Sequence, residues 1–147
     1  MKYKKIPKTS ENLYISGWEA LNTPGKTGSA DWHPLDFWLS YEDSEDYIKL
    51  YTNPVLGNEG VEYREIEYSR DYEFIANHPR ALADLVYSAF KEGKDINTYS
   101  RDSRDLLSDE ECKEYWKYLR KMSKYSNEID EFSKVEFPGW YLEECYK

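Results

Sequence analysis

The first half of the chain carries short segments in which apolar and polar residues alternate. Tyr47–Tyr51 and Val61–Tyr68 alternate with a period of two, which is typical of half-buried β-strands. Tyr72–Ala76 is a further β-like segment, and Leu13–Ser16 is an extended run that ends at Gly17. Charged side chains of these strands are expected to pair across the sheet on the side that faces water.

From Asn77 onward the spacing of apolar residues changes to that of a helix. Asn77 is a favourable N-cap, Pro79 lies in the first turn, where its missing N–H costs nothing, and Gly93 provides a stop. One helical face carries the apolar residues between these signals: Ala81, Leu82, Leu85, Val86, Ala89 and Phe90. The sequence therefore predicts a helix that ends at Gly93.

Two more helices are predicted downstream. Ser108 and Glu111 form a capping-box pattern, and a further short helix is predicted over Glu128–Val135. The helix that begins at the capping box presents one apolar stripe: Cys112, Tyr115, Trp116, Leu119 and Met122. Strands followed by helices predict an α+β fold, in which a small antiparallel sheet from the N-terminal half packs against two or three C-terminal helices. We expect one domain over residues 1–147, with an aromatic, strand- and turn-rich half (1–76) and a helical half (77–147).

Composition narrows the classes of partner. Aromatic residues make up 17% of the chain, including fifteen Tyr and five Trp, which fits either a Tyr-rich core or an interaction surface. The net charge of −9 disfavours direct nucleic-acid binding and suits a basic partner protein. Cys112 and Cys145 have no metal or redox spacing, and no run approaches membrane-spanning length. We therefore expect a cytoplasmic protein with no cofactor, no metal and no membrane segment.

The segment from Gly17 to Trp38 contains the most unusual residues. Its GKTGS sequence resembles phosphate-binding loops but lacks the spacing of a P-loop, so a surface turn is the simpler interpretation. Asp31, His33 and Asp36 have the donor atoms of a metal or acid–base site, although a rigid aromatic corner explains them equally. As partner-binding candidates we single out the aromatic residues of this segment with His33: Trp18, Trp32, His33 and Trp38.

An acidic run follows at Glu42–Asp46. Its carboxylates could imitate the phosphates of a nucleic acid, although acidic runs are more commonly solvated turns. We include all of them among the partner-binding candidates: Glu42, Asp43, Glu45 and Asp46.

Residues 75–87, IANHPRALADLVY, resemble the segment that opens the helical C-terminal region of AbiEi-type antitoxins, from type IV toxin–antitoxin and abortive-infection systems. In that family a short strand leads into a pattern like SPERALLDLLY, with Arg and Asp four residues apart. Arg80 and Asp84 occupy those positions here, whereas His78 replaces a more usual acid or Val and Ala83 replaces a Leu. Other matching residues are Ala81, Leu82, Leu85 and Tyr87.

The polar connector and capped helix that follow, Asp95–Lys124, also suit the layout of the family, so that the resemblance covers about a third of the chain. Members of the family usually begin with a winged helix-turn-helix, and residues 1–60 show none. The resemblance therefore implies a partner-facing role without DNA-binding autoregulation, and a nucleotidyltransferase-like toxin as the partner. Arg80 and Asp84 are interpreted as structural, because their spacing allows an ion pair on one helix face worth a few tenths of a kcal/mol.

Three functions remain open from the sequence. The first is a non-catalytic protein-binding module, antitoxin-like or defence-associated. The second is an acidic inhibitor, encoded by a phage or mobile element, that mimics nucleic acid and blocks a nucleic-acid-binding enzyme. The third is a small enzyme that uses Asp31, His33 and Asp36.

Overall fold

A computed structural model of the chain describes residues 2–24, 38–40, 46–67, 69–94, 107–136 and 138–139. In chain order the elements of this part are β1 (Lys2–Tyr3), α1 (Gly17–Leu21), β2 (Leu39–Ser40), β3 (Val61–Glu65), β4 (Tyr72–Ala76), α2 (His78–Glu92), α3 (Asp109–Lys121), a 3₁₀ turn (Ser123–Tyr125) and α4 (Ser126–Glu136). Strands thus come before the long helices, and the predicted α+β class is confirmed.

Two antiparallel pairs, β1–β2 and β3–β4, make up the sheet structure of the described residues. Strand β4 is also joined by the extended segment around Ile15. The Ile15 N–H donates to the Phe74 carbonyl at 2.9 Å, and the Ala76 N–H donates to the Ile15 carbonyl at 2.8 Å. Next to it, Tyr14 forms an antiparallel bridge with Tyr51. These bonds bring the N-terminal segment against the start of α2.

Of the strands predicted at 47–51, 61–68 and 72–76, the last agrees best with the structure. Tyr72–Ala76 forms β4 with the expected bounds, but β3 ends at Glu65 because the Ile66 carbonyl accepts the N–H groups of the turn that follows. The predicted strand Tyr47–Tyr51 is wrong as a regular element. Its two ends bridge to different segments, Lys5 and Tyr14, so no continuous ladder forms.

Helix α2 is the central element. The Asn77 side chain caps its first turn, and Gly93 ends it in the left-handed conformation with φ 72°, as the sequence predicts. Burial extends all round its first half, since Pro79–Val86 are buried without interruption. The helix packs against α1, β4 and α3, and the apolar core lies around it. A central position explains why polar residues of α2 are as inaccessible as its apolar stripe.

Helix α3 begins with the predicted capping box. The Ser108 hydroxyl accepts from the Glu111 N–H at 3.2 Å, and the Glu111 carboxylate accepts from the Ser108 N–H at 3.0 Å. The predicted stripe from Cys112 to Met122 is buried. Within the described ranges, none of the helices has the length and apolar character needed to cross a membrane.

Candidate functional site

Arg80 and Asp84 form an ion pair one turn apart on α2. The cap formed by Asn77 fixes the first turn, because its side-chain oxygen accepts from the Arg80 N–H at 2.9 Å. One turn later the Arg80 Nε donates to Asp84 Oδ1 at 3.1 Å. The pair expected from the spacing is present, but both side chains are fully buried. The few tenths of a kcal/mol expected of an exposed pair therefore underestimate the effect of this one, since buried charges interact far more strongly with their surroundings.

The Asp84 carboxylate is fully satisfied by residues from three segments. Oδ2 accepts from the Tyr14 hydroxyl at 2.9 Å and from the Ser16 hydroxyl at 2.7 Å. Oδ1 accepts from the Asn53 side-chain amide at 3.0 Å and from Arg80. We call Tyr14, Ser16, Asn53, Arg80 and Asp84 the Arg80–Asp84 cluster. It links the N-terminal segment and the Asn53–Gly60 loop to the central helix.

Arg80 uses its remaining donors to hold the Asn53–Gly60 loop. Its Nη2 donates to the Gly57 carbonyl at 2.7 Å, and its Nη1 donates to the Glu59 carbonyl. Nη2 also contacts the Tyr14 hydroxyl. The loop consists of turns held by its own hydrogen bonds, among them Gly57 N–H to the Asn53 carbonyl, and the guanidinium adds two bonds that tie it to α2.

Gly60 lies where the loop meets α2 and α3. Its φ of 77° is in the left-handed region, and a Cβ at this position would lie 2.5 Å from the Tyr118 hydroxyl and 2.9 Å from the Arg80 Cβ. No larger residue fits this backbone without displacing one of them. A glycine is therefore required for the loop to approach the cluster.

The surroundings of Tyr14 in the cluster keep its hydroxyl protonated. Burial raises the pKa of Tyr14 above its usual range, and the neighbouring Asp84 raises it further. The phenol therefore remains a donor to Asp84 at neutral pH. Because every member of the cluster is buried, no substrate reaches these groups in this conformation. What the arrangement does chemically is to cross-link three segments.

A different set of residues faces water on the β3–β4 hairpin. The register places Tyr63 opposite Phe74 and Glu65 opposite Tyr72, so these four side chains share one face, which we call the hairpin face. Tyr63 and Tyr72 are 60% and 58% exposed. The Tyr63 ring centroid lies 4.7 Å from that of Phe74 and 5.6 Å from that of Tyr72. Three aromatic rings therefore form a contiguous surface cluster.

The sequence predicts that charged side chains of β3 pair across the sheet on its water-facing side, whereas the structure shows an ion pair within the strand. Glu62 and Arg64, on the other face of β3, are half-buried, and their charged atoms lie 3.6 Å apart within the same strand. Burial lowers the pKa of the Arg64 guanidinium, and Glu62 partly offsets this. Residues of the charged face are therefore packed more deeply than the tyrosines. Ile75, on the Glu62 side of the pair, is part of the core, whereas on the Tyr63 side the fully buried residue is Ala76, at the end of β4 next to α2.

The structure separates the tryptophans proposed as partner anchors. Trp38 is fully buried, and its indole N–H donates to the Glu19 carbonyl at 2.9 Å. It has no exposed surface for a partner, so its expected role as an anchor is wrong and its role is packing. Trp18 is half-buried and packs against the core from α1.

The remaining sequence candidates lie mostly outside the described residues. This applies to Asp31, Trp32, His33, Asp36, Glu42, Asp43 and Glu45. Asp46 is described and exposed, and its carbonyl accepts from the Lys5 N–H. His78, the first residue of α2, contacts the Thr23 carbonyl through Nε2 at 2.9 Å. Among the residues that the structure describes, no three His, Cys, Asp or Glu side chains gather as a metal site would require.

Sequence reasoning missed the partners of the Arg80–Asp84 pair and the hairpin face. One signal was available for Tyr14 and Ser16, because residues two apart in an extended segment point to the same side. The hairpin face could have been found from cross-strand register, which places Tyr63 beside Phe74. Nothing local marks Asn53, whose contact with Asp84 spans 31 positions.

Comparison with family models, with curated proteins and with solved structures found no significant match to this chain.

Proposed function

We propose that this protein is a non-catalytic protein-binding module that contacts its partner through the hairpin face. The observation that carries the proposal is the cluster of Tyr63, Tyr72 and Phe74, in which two tyrosines expose more than half of their surface. Tyrosine is enriched at the energetic centres of protein interfaces, because its ring offers a large rigid contact and its hydroxyl a hydrogen bond. An apolar cluster presented on a two-stranded hairpin fits that use.

Charge around the hairpin face favours a basic partner. Residues 61–73 carry five acidic side chains against two basic ones, a net charge of −3. Glu65 lies on the hairpin face beside Tyr72, so an arginine of the partner can stack on a tyrosine and pair with a carboxylate. The surface therefore suits a protein that presents arginine or lysine.

In its most specific form, the proposal is that the partner is a nucleotidyltransferase-like toxin and the protein an antitoxin. Support for this form comes from the resemblance of residues 75–87 to AbiEi-type antitoxins. Arg80 and Asp84, the matching residues, are buried in the cluster, which is compatible with a scaffold that holds the hairpin's neighbouring segments. The hairpin face, not the motif, would then touch the toxin.

The test compares affinity capture from the native host by the full-length protein and by two double variants. Tyr63→Ala/Tyr72→Ala removes the exposed rings of the hairpin face. Tyr3→Ala/Tyr47→Ala is the matched control, since these rings are 46% and 52% exposed and lie outside the hairpin. We expect a basic protein to co-purify with the wild type and the control, and to be lost with the hairpin variant.

Two results would contradict the proposal. If the hairpin variant retains every co-purifying protein at wild-type yield, the hairpin face is not the binding surface. If wild-type protein captures nothing specific, the binding role itself is lost. The antitoxin form has its own test, because co-expression must restore growth to cells poisoned by a nucleotidyltransferase encoded beside this chain. If co-expression does not restore growth, the antitoxin form of the proposal is wrong. The role of the hairpin face is tested separately, by the capture experiment.

A further inference from the structure

A small cavity lies between the end of α2, the 3₁₀ turn and the Asn53–Gly60 loop. Its volume is about 150 Å³. Apolar and aromatic side chains form part of its wall: Val55, Tyr87 and Tyr125. Three lysines also line it: Lys91, Lys121 and Lys124. The cavity is separate from both the hairpin face and the Arg80–Asp84 cluster, since none of their residues lines it.

The lysines are an unusual concentration of positive charge in an acidic chain. Acidic residues outnumber basic ones by 29 to 20, yet within the described part of the chain no carboxylate pairs with Lys91 or Lys124. Lys121 pairs with Glu59 at 2.6 Å. Three ammonium groups less one carboxylate leave a local charge of +2. The C-terminal ends of helices favour lysines, but that preference does not require three of them to meet at one cavity.

The aromatic side of the cavity is made of rings that contact one another. The Tyr125 ring stacks on Phe90 with ring centroids 5.2 Å apart. The Tyr87 ring contacts Tyr125 edge-on, with centroids 6.2 Å apart. The Lys124 ammonium lies 5.6 Å from the Tyr125 ring centroid. A ligand with a small ring and a negative group would therefore find an apolar wall and cations at one place.

We propose that this cavity binds a phosphomonoester that carries a planar ring. A phosphomonoester has a charge between about −1.5 and −2 at neutral pH, which matches the local charge of the cavity. Lysine ammonium groups bind phosphate as compact point charges. A cavity of about 150 Å³ has room for a planar ring, which would lie beside Val55 and Tyr87 while the phosphate stays at the lysines. Two sources share this chemistry, a free nucleoside monophosphate and a phosphotyrosine side chain.

The experiment titrates the full-length protein with AMP and with O-phosphotyrosine, by calorimetry and by ¹H–¹⁵N chemical-shift mapping. Adenosine and tyrosine are the controls without phosphate, and inorganic phosphate is the control without a ring. We expect saturable binding of at least one ring-bearing phosphate with a Kd of about 1 mM or tighter, with shifts at residues 87–91 and 121–125. The compound that binds identifies the source.

Variants separate the cavity from general charge effects. Lys124→Glu should weaken binding at least tenfold, whereas Lys134→Glu, the same charge change at an exposed lysine of α4 paired with Glu131, should leave it within twofold. Val55→Trp fills the cavity without changing its charge and should also weaken binding tenfold; Val55 is 45% exposed, so the fold tolerates the change.

Three results would overturn the proposal. One is the absence of saturable binding by either ring-bearing phosphate. Another is binding of inorganic phosphate as tight as that of AMP and O-phosphotyrosine, which would remove the ring from the recognition. The third is equal loss of affinity in Lys124→Glu and Lys134→Glu, which would show a non-specific charge effect.

Discussion

At the scale of single residues, Asp84 is a buried carboxylate whose charge has to be compensated by its neighbours. Its carboxylate accepts four hydrogen bonds, from Tyr14, Ser16, Asn53 and Arg80. Removing two charges from water is costly, and a buried pair compensates for it only when its lone pairs and protons are satisfied. The cluster meets that condition, so loss of one charge should be far more damaging than loss of a surface charge.

Asp84→Asn keeps the shape of the side chain but leaves the Arg80 guanidinium without its counter-charge. We expect the free energy of unfolding to fall by about 3 kcal/mol or more, as measured by urea denaturation. Glu110→Gln, at an exposed pair with Lys113, is the control and should change it by less than about 0.5 kcal/mol. A loss below about 1 kcal/mol for Asp84→Asn would show that the cluster does not depend on its charge.

Gly60 and Gly57 distinguish a crowded glycine from an uncrowded one. Both have positive φ, of 77° and 60°, but nothing lies within 4 Å of a Cβ built on Gly57. Gly57→Ala should therefore cost only the conformational strain of about 1–2 kcal/mol. Gly60→Ala adds an overlap with Tyr118 and Arg80 worth about 1–3 kcal/mol more. Equal costs in thermal or urea unfolding would refute the close contact.

At the scale of elements, the helices were predictable and the strand ladders were not. Both limits of α2 and the start of α3 follow from signals within a few residues of each end, the caps Asn77, Gly93 and Ser108. A strand also needs a partner, which the segment itself does not specify. Tyr47–Tyr51 has the alternation of a strand, yet its ends pair with different segments and it forms only isolated bridges.

In the candidate site too, contacts within one element were predictable and contacts between distant segments were not. The Arg80–Asp84 contact was predictable because it lies within one helix, whereas its other partners are distant in sequence; Tyr14 and Asp84 are 70 positions apart. Trp38 shows the converse error, since an aromatic residue in an unusual segment looks the same in sequence whether it is buried or exposed. Burial is decided by tertiary packing, which places Trp38 in the core and leaves Tyr63 and Tyr72 of the hairpin exposed.

The two N-caps should differ in their contribution to stability. Ser108→Ala removes an exposed cap of α3 and should cost about 1 kcal/mol. Asn77→Ala removes the cap of α2 and also a 2.7 Å hydrogen bond from its amide to the Glu114 carboxylate on α3. Its cost should be about 2–3 kcal/mol, because the charged acceptor loses a donor as well. Denaturant unfolding of both variants tests this, and a larger cost for Ser108→Ala would contradict it.

At the scale of the whole molecule, three tyrosines are buried in a core that is otherwise mainly aliphatic. Tyr14, Tyr115 and Tyr118 are buried, and burial raises the pKa of all three above the usual range. Nearby carboxylates raise these pKa values further: Asp84 beside Tyr14, Glu136 beside Tyr115 and Glu114 beside Tyr118. In the folded protein these phenols stay neutral where an exposed phenol would ionise.

The raised pKa values predict alkaline sensitivity. Above the unfolded pKa of about 10 the unfolded chain loses these protons and the folded chain keeps them, so stability is complete below that pH and falls as the pH rises. Tyr115 alone should contribute a slope of about −1.4 kcal/mol per pH unit. Unfolding free energies between about pH 9 and 11 should therefore fall less steeply in Tyr115→Phe than in the wild type. Equal slopes would contradict the assignment.

Binding through the hairpin face is tested most directly by the affinity of the purified partner for the full-length protein and for Tyr63→Ala/Tyr72→Ala. Calorimetry should show a Kd at least about 30-fold weaker for this variant, as expected when an interface centre is lost. Tyr3→Ala/Tyr47→Ala should bind like the wild type, with all three proteins similarly stable. Affinities within about threefold of one another for the wild type and the hairpin variant would contradict the claim.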